Sequence, residues 1–173
     1  GGFEIYLSRP ELGSSLWETI LEAGRSENIR PGSPNIIDRV EAGLLSFGNE
    51  MTVENTPLEC NMDKFLDINK EADYIGKKVL QRQIRYGIKR RIRGVIYNGP
   101  KLPTISRPLQ VFDIDKRTIV GSLTSGAFSP HFKRNIGVGM IKYGYWDNNK
   151  KILVNIAGQE FREGLIKDLP LIQ

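Results

Sequence analysis

The 173-residue sequence has few of the residues that build disulfides and metal sites, since it contains one cysteine, Cys60, and one histidine, His131. A single cysteine excludes an internal disulfide. The two residues together are too few for a typical structural zinc site, so we predict no bound metal. A chain with one free thiol is typical of a reducing compartment, and the expected location is the cytoplasm.

The sequence also lacks long apolar runs. Even the apolar stretch 36–47 is interrupted by Asp38, Arg39 and Glu41, whereas a transmembrane helix needs about 18 or more apolar residues in a row. We therefore predict no membrane association. The first residues, Gly1-Gly2-Phe3-Glu4, include neither an initiator methionine nor the charged-then-apolar pattern of a signal peptide. We expect the chain to be a fragment of a longer protein.

Positive charge is concentrated in one part of the chain. The formal net charge is +5, and the segment from Lys77 to Arg93 contains eight basic residues and no acidic one. No RNA-binding signature, zinc-finger spacing or aromatic-interleaved basic strand accompanies this basic segment, so we predict no nucleic-acid binding. Two interpretations remain for it: a solvated helix face with the strand that follows, or a local anion site.

The first half of the chain shows mixed strand and helix patterns. Residues 2–7 are predicted as a strand, and Ser8 and Glu11 have the spacing of a capping box that begins a helix. Ser33-Pro34 is predicted to open a second helix, because proline is tolerated at the first helical position. A third, basic helix is predicted over residues 76–88. The residues expected to face inward on that helix are Val79, Leu80 and Ile84.

The second half of the chain shows alternating patterns separated by turn residues. The predicted strands are residues 92–97, 109–114, 118–124, 136–143, 151–156 and 160–166. Short strands at this spacing are typical of a small antiparallel barrel or sandwich. The predicted fold class is α+β, with an α+β domain over residues 1–88 and an all-β domain over residues 89–173.

Two places in the first half contain candidate functional side chains. Alternation puts Glu4 and Tyr6 on one face of the predicted strand, so a carboxylate and a phenol point together. This pair is either a solvent-facing polar edge or a ligand site. Arg39 interrupts an apolar helix and either pairs locally or reaches a carboxylate with its fork of donors.

Several well-known catalytic patterns are missing from the sequence. No serine lies in a Gly-x-Ser-x-Gly context, and the sequence contains neither a phosphate-binding loop nor a dinucleotide fingerprint. Residues 122–130 combine hydroxyls with a glycine on a predicted strand-to-turn passage, where backbone amides could face an anion. These patterns identify no catalytic residue.

Four motifs, in the same order along the chain, resemble the C-terminal portion of the glycine-cleavage T-protein (aminomethyltransferase) superfamily. They are Gly2-Phe3-Glu4-Ile5, residues 38–43 with Phe47-Gly48-Asn49-Glu50, Asp73-Tyr74-Ile75-Gly76, and residues 121–126 with Phe128-Ser129-Pro130. Within the superfamily, this sequence resembles the dimethylsulfoniopropionate demethylase branch more than the T-protein itself. The shared segments there are residues 1–7, Pro34-Asn35, residues 39–46, Pro57-Leu58-Glu59-Cys60, Ser129-Pro130-His131-Phe132 and Asp168-Leu169-Pro170.

The resemblance implies an incomplete α+β folate-binding domain followed by a C-terminal β-barrel. It also implies a tetrahydrofolate-dependent enzyme in the full-length parent, which moves a methyl group from dimethylsulfoniopropionate or a similar small-molecule donor to the folate. The alternatives are glycine-cleavage aminomethyl transfer and a non-catalytic folate- or anion-binding module. The expected partners are the donor and the N-terminal half of the same protein, and a homodimer stays open. The fragment alone is expected to be inactive.

The resemblance also implies roles for three residues. Glu4 matches the family glutamate that hydrogen-bonds the pterin ring, and Tyr6 matches a tyrosine beside the folate and substrate pocket. Arg39 matches an arginine that serves a folate carboxylate or an internal pair. Phe47 departs from the pattern because the family often has tyrosine there. None of the three is expected to be catalytic.

Overall fold

The computed structural model describes residues 2–32 and 35–172. The chain divides into two compact units, the first ending at residue 34 and the second beginning at Asn35. The helix start predicted at Ser33-Pro34 lies outside the described residues. The domain division predicted between residues 88 and 89 stays a prediction.

The first unit consists of an extended segment and a helix. Residues 2–7 are extended but pair with no strand, so the predicted strand is wrong. A strand needs a hydrogen-bonded neighbour, which alternation alone does not supply. The prediction of a capping box at Ser8 and Glu11 is also wrong. The residue at the cap position is Arg9, which precedes a 3-10 turn over Pro10–Leu12 and makes no side-chain cap. Helix α1 follows over Gly13–Ala23, and a second 3-10 turn covers Arg25–Glu27.

The second unit begins with helix α2, Ile36–Glu41, which Asn35 caps by accepting a hydrogen bond from the backbone N–H of Asp38. Turns and a 3-10 helix over Asp63–Phe65 lead to helix α3, Lys77–Tyr86. The basic helix was therefore predicted correctly, and Leu80 is buried on it. The prediction that Val79 and Ile84 face inward is wrong, since these residues are 49% and 56% exposed.

Six strands form the rest of the second unit. They are β1 (Arg90–Tyr97), β2 (Leu109–Phe112), β3 (Ile119–Ser129), β4 (Arg134–Lys142), β5 (Lys151–Ala157) and β6 (Glu160–Lys167). They close into a barrel in the order β1-β4-β3-β2-β5-β6, and every neighbouring pair is antiparallel. The predicted antiparallel β-barrel is thus confirmed.

Two apolar clusters stabilise the second unit. The first takes residues from all six strands and fills the barrel; its largest fully buried members include Tyr97, Leu123 and Ile141. The second joins α2 to strands β1 and β4 through Val40, Ile92, Ile136 and Val138. Burial of such side chains contributes about 1.5–3 kcal/mol each. Because Val40 is fully buried in the second cluster, α2 is fixed on the barrel wall.

Strands β3 and β4 approach each other closely at a glycine. A Cβ atom added at Gly139 would lie 1.9 Å from the carbonyl oxygen of Ser122 and 2.7 Å from the Cα of Leu123. Both of those atoms belong to backbone, which cannot rotate away as a side chain can. The contact between these two strands therefore requires glycine at position 139.

None of the helices within residues 2–32 and 35–172 is both long enough and apolar enough to span a membrane.

Candidate functional site

The first unit brings Glu4 and Tyr6 together. Because side chains two residues apart on an extended backbone point the same way, the Tyr6 hydroxyl donates a hydrogen bond to the Glu4 carboxylate. The predicted pairing of a carboxylate with a phenol is confirmed. This hydrogen bond to the Glu4 carboxylate raises the pKa of the Tyr6 phenol above its ordinary value. The phenol therefore stays a protonated donor at neutral pH.

The surroundings of this pair are exposed and aromatic. Phe3 is fully exposed, and the side chains of Tyr6 and Ile5 are largely exposed as well. The second carboxylate oxygen of Glu4 has room to accept N–H donors from a ligand. A flat ring with adjacent N–H groups can pair with such a carboxylate and lie against the neighbouring aromatic side chains.

The second unit holds Arg39 in a network of hydrogen bonds. One terminal nitrogen of Arg39 donates to Glu50 Oε2 at 2.8 Å and to the Leu44 carbonyl at 2.9 Å. The other donates to Glu50 Oε1 at 3.3 Å and to Ser125 Oγ at 2.7 Å. The ion pair spans eleven residues, and Ser125 lies on β3, so this arginine joins α2, the 44–51 turn and the barrel.

Glu50 is the buried centre of that network. Its side chain has no exposed surface, and its Oε2 also accepts the Ser46 backbone N–H at 2.7 Å. Burial raises the pKa of Glu50, but hydrogen bonds from Arg39, Ser125 and the Ser46 backbone outweigh burial, and the net pKa lies below its ordinary value. Glu50 is therefore ionised at neutral pH and balances the charge of Arg39.

Neither Glu50 nor Ser125 was identified as an Arg39 partner from the sequence. The available signal was a glutamate at the end of a Gly-Asn turn, since a carboxylate directed inward by a turn needs a cationic partner. Ser125 gave no signal, because the contact depends on where β3 passes α2. The prediction that residues 122–130 leave the strand for a turn and present backbone amides to an anion is wrong. Strand β3 continues to Ser129, where it pairs with β4.

A second buried contact joins α2 to the end of β3. The Ser129 hydroxyl donates to Glu41 Oε1, and its oxygen accepts the Phe132 backbone N–H at 3.0 Å. Glu41 and Ser129 are both buried. This contact fixes the turn between β3 and β4 relative to α2.

Cys60 lacks the setting of a nucleophile. Burial raises the pKa of its thiol, and the neighbouring Glu59 charge raises it further, so the thiol is protonated at neutral pH. Within residues 2–32 and 35–172, no three His, Cys, Asp or Glu side chains gather where they could hold a metal ion.

Comparison with known families gives two matches, separated by residues 71–89. The profile described as "GCVT N-terminal domain" matches residues 1–70, and the profile described as "Glycine cleavage T-protein C-terminal barrel domain" matches residues 90–169. The second match covers all six strands of the barrel, from Arg90 to Lys167.

Curated relatives and a solved structure agree with these matches. The chain is 42% identical over 146 residues to dimethylsulfoniopropionate demethylase from Ruegeria pomeroyi, covering 84% of the chain and 39% of the relative. It is 34% identical over 167 residues to an aminomethyltransferase from Geobacillus sp., covering 95% of the chain and 44% of the relative. The chain thus spans about two fifths of the length of these relatives.

The fold is similar to the crystal structure of glycine cleavage system aminomethyltransferase T from Bartonella henselae. The TM-score is 0.75 at 20% identity, over 94% of this chain and 44% of that one.

Proposed function

The chain belongs to the glycine-cleavage T-protein superfamily, and from this membership we propose that it forms part of a tetrahydrofolate-dependent methyltransferase. The enzymes of this family use tetrahydrofolate as the acceptor of the one-carbon unit. The single observation that supports the proposal most strongly is the Glu4–Tyr6 pair, because it supplies a carboxylate acceptor beside exposed aromatic surface.

The chemical groups of Glu4 and Tyr6 suit a pterin ring. The ring offers an amino group and a neighbouring ring N–H, and a carboxylate accepts both as charge-assisted hydrogen bonds. In this proposal Glu4 holds the ring, and Tyr6 keeps the Glu4 carboxylate oriented through its hydroxyl. Both residues bind and orient, and neither exchanges a proton with the reacting atoms.

Arg39 is the third residue of the proposal. Its guanidinium is committed to Glu50, Leu44 and Ser125, and 18% of its side-chain surface stays exposed. We propose that Arg39 contributes to folate binding, either by contacting a folate carboxylate or by holding the 44–51 turn. An Arg39→Lys variant keeps the charge but loses the two-pronged geometry. Weaker tetrahydrofolate binding at unchanged stability would support contact with the folate, and a parallel loss of stability would support the role in the turn.

Methyl transfer from a sulfonium demands little acid or base chemistry from the protein. The carbon–sulfur bond would break with its electron pair going to sulfur, which would leave as a neutral thioether; the methyl group would bond to N5 of the folate, and the N5 proton would then pass to solvent. What the protein must supply is orientation of donor and acceptor and exclusion of water. Bound tetrahydrofolate supplies the nucleophilic nitrogen.

For the donor we propose dimethylsulfoniopropionate or a similar sulfonium, because the relative from Ruegeria pomeroyi is 42% identical to this chain. The second candidate is an aminomethyl group on a lipoyl carrier, supported by the aminomethyltransferase relatives at 34–38% identity. We further propose that activity requires the remaining three fifths of the relatives' length and that the reaction takes place in the cytoplasm. In the same proposal, residues 1–88 form the folate-binding part of the chain and residues 89–173 form the barrel.

The test uses the protein as its gene encodes it. Tetrahydrofolate-dependent methyl transfer is measured with dimethylsulfoniopropionate and, separately, with an aminomethylated lipoyl carrier. Glu4→Gln should lower kcat/KM at least tenfold, since the amide loses the charge that binds the ring N–H groups. The matched control is Glu18→Gln, an exposed glutamate of α1 in the same unit, which should leave the rate unchanged.

Three outcomes have different meanings. Turnover of the sulfonium alone supports the demethylase proposal, and turnover of the carrier alone supports aminomethyl transfer. If the protein neither binds tetrahydrofolate nor turns over either donor, the enzyme proposal is wrong and a non-catalytic binding module takes its place.

A further inference from the structure

A large cleft in the second unit lies where α3 meets the start of β1. Its volume is about 1050 Å³, and the residues that line it come from α3, the turn after α3, the start of β1, the end of β4 with the residue that follows it, and the turn that contains Glu59. All of these elements belong to the second unit. The cleft is therefore formed without Glu4 and Tyr6, which belong to the first unit.

The cleft carries an excess of positive charge. Four cationic side chains line it, namely Arg82, Lys89, Arg90 and Lys142. Its one acidic wall residue, Glu59, is already committed: Oε1 accepts from Arg90 Nε at 3.1 Å and Oε2 accepts the Thr56 N–H at 3.0 Å.

Three of the four cations lack an acidic partner. Across residues 35–172, the described part of this unit, the ion pairs do not include Arg82, Lys89 or Lys142. The Lys142 ammonium donates to the carbonyl of Ile119 at 2.7 Å, and this bond leaves its charge uncompensated. A ligand in the cleft would therefore meet about three free positive charges.

The strand register adds a second, independent observation. Arg90 on β1 lies directly opposite Lys142 on β4. Like charges at directly opposed positions of an antiparallel pair destabilise the pair. Glu59 offsets the charge of Arg90, and a bound anion would offset that of Lys142, which has no acidic partner among residues 35–172. The sequence alone could not show this, because Lys142 lies far outside the basic segment.

The cleft also offers neutral hydrogen-bond donors. Tyr86 and Tyr143 line it, and both phenol rings are largely exposed. A phenol hydroxyl donates to carboxylate and phosphate oxygens alike. Cations together with hydroxyl donors around one open space have the chemistry of an oligoanion site.

We propose that this cleft binds a small ligand with two or more closely spaced anionic groups, either carboxylates or phosphates. The proposal is independent of the folate-dependent activity. The basic segment thus contributes to a local anion site through Arg82, Lys89 and Arg90, while its other basic residues lie outside the cleft.

Titration calorimetry on the protein as encoded tests the proposal, with tripolyphosphate as the phosphate probe and tetraglutamate as the carboxylate probe. Arg82→Glu combined with Lys89→Glu should weaken binding of the preferred probe at least tenfold. The control is Lys70→Glu combined with Lys78→Glu, which makes the same total charge change on two exposed residues that do not line the cleft, and it should change the affinity less than twofold.

Which probe binds distinguishes a phosphate ligand from a carboxylate ligand. The proposal is overturned if neither probe binds in dilute buffer, or if the control pair Lys70→Glu with Lys78→Glu weakens binding as much as the cleft pair does, since the effect would then be general charge attraction. Binding of single-stranded RNA that is far tighter than either probe and falls steeply with salt would also overturn it in favour of nucleic acid. Circular dichroism of each variant confirms that it is folded.

Discussion

Arg39 holds Glu50 through both of its terminal nitrogens, at 2.8 and 3.3 Å, and the Glu50 carboxylate is completely buried. The same guanidinium reaches Ser125 on β3. Removal of one partner from a buried pair costs about 3–5 kcal/mol, because the other charge is left without compensation. This pair therefore couples the 44–51 turn to the barrel.

Acid should weaken the protein through Glu50. A carboxyl group whose pKa is lowered on folding stabilises the fold above its unfolded value of 4.5, and this stabilisation is lost as the pH falls through the lower folded value. Glu50→Gln should lower the free energy of unfolding by about 3 kcal/mol at neutral pH. The difference from the unaltered protein should shrink below about pH 4.

Urea unfolding at a series of pH values measures this prediction. Glu54→Gln is the matched control, because Glu54 is exposed and only four residues away. A Glu50→Gln deficit that stays constant down to about pH 3 would contradict the proposed charge interaction.

Tyr97 should be the last of the described tyrosines to ionise. Burial raises its pKa to about 12, although the positive charge of Arg162 opposes the rise. A folded pKa above the unfolded value of 10.0 means that the stabilising contribution is complete below about pH 10 and is lost as the pH rises through 12. Ultraviolet titration of the phenolates should show one late group, which disappears in Tyr97→Phe.

The same substitution should not destabilise the barrel. The Tyr97 hydroxyl is buried and has no hydrogen-bond partner among the described residues. Since an unpaired buried hydroxyl costs about 1–3 kcal/mol, Tyr97→Phe should raise the free energy of unfolding by up to about 1 kcal/mol. A loss of more than about 1 kcal/mol would indicate a hydrogen bond that the barrel does make.

Gly139→Ala should destabilise the barrel by about 3 kcal/mol, because the new methyl group would overlap the Ser122 carbonyl on the neighbouring strand. Thermal unfolding measures the change. Gly13→Ala is the control: nothing lies within 4 Å of its added Cβ, and alanine favours the helix that begins there. Equal losses in the two variants would contradict the close approach of β3 and β4.

Ser129→Ala should cost about 1–3 kcal/mol, since it leaves a buried carboxylate oxygen of Glu41 and the Phe132 N–H without their shared partner. Ser122→Ala on the same strand should cost less than about 0.5 kcal/mol, because Ser122 is not fully buried. Chemical denaturation compares the two variants. Similar losses would show that the Ser129 hydroxyl has no special role.

The barrel could be predicted because its strands alternate and turn residues separate them. All six strands lie close to the predicted positions, and β3 is the largest departure, since it continues through Ser125 and Gly126 to Ser129. The extended segment before α1 shows the opposite case. Phe3, Ile5 and Leu7 alternate as in a strand, yet pairing depends on a neighbouring strand that a local pattern does not specify.

The candidate site was predictable to a similar degree. A two-residue period brings Glu4 and Tyr6 together without further information. The partners of Arg39 could not be predicted, because Ser125 is 86 positions away and its approach depends on how α2 packs on the barrel. The opposition of Arg90 and Lys142 required the register of β1 against β4.

Closure of the barrel also affects its synthesis on the ribosome. Strand β1 pairs with β4 on one side and with β6 on the other, so one edge of β1 waits for roughly 70 further residues to be translated. At about 5–20 residues per second this takes several seconds. During that time the edge that later pairs with β6, residues 94–97, is uncharged and could recruit a strand from another chain. Translation of β6 closes this edge, so the last strand of the barrel also removes a site of aggregation.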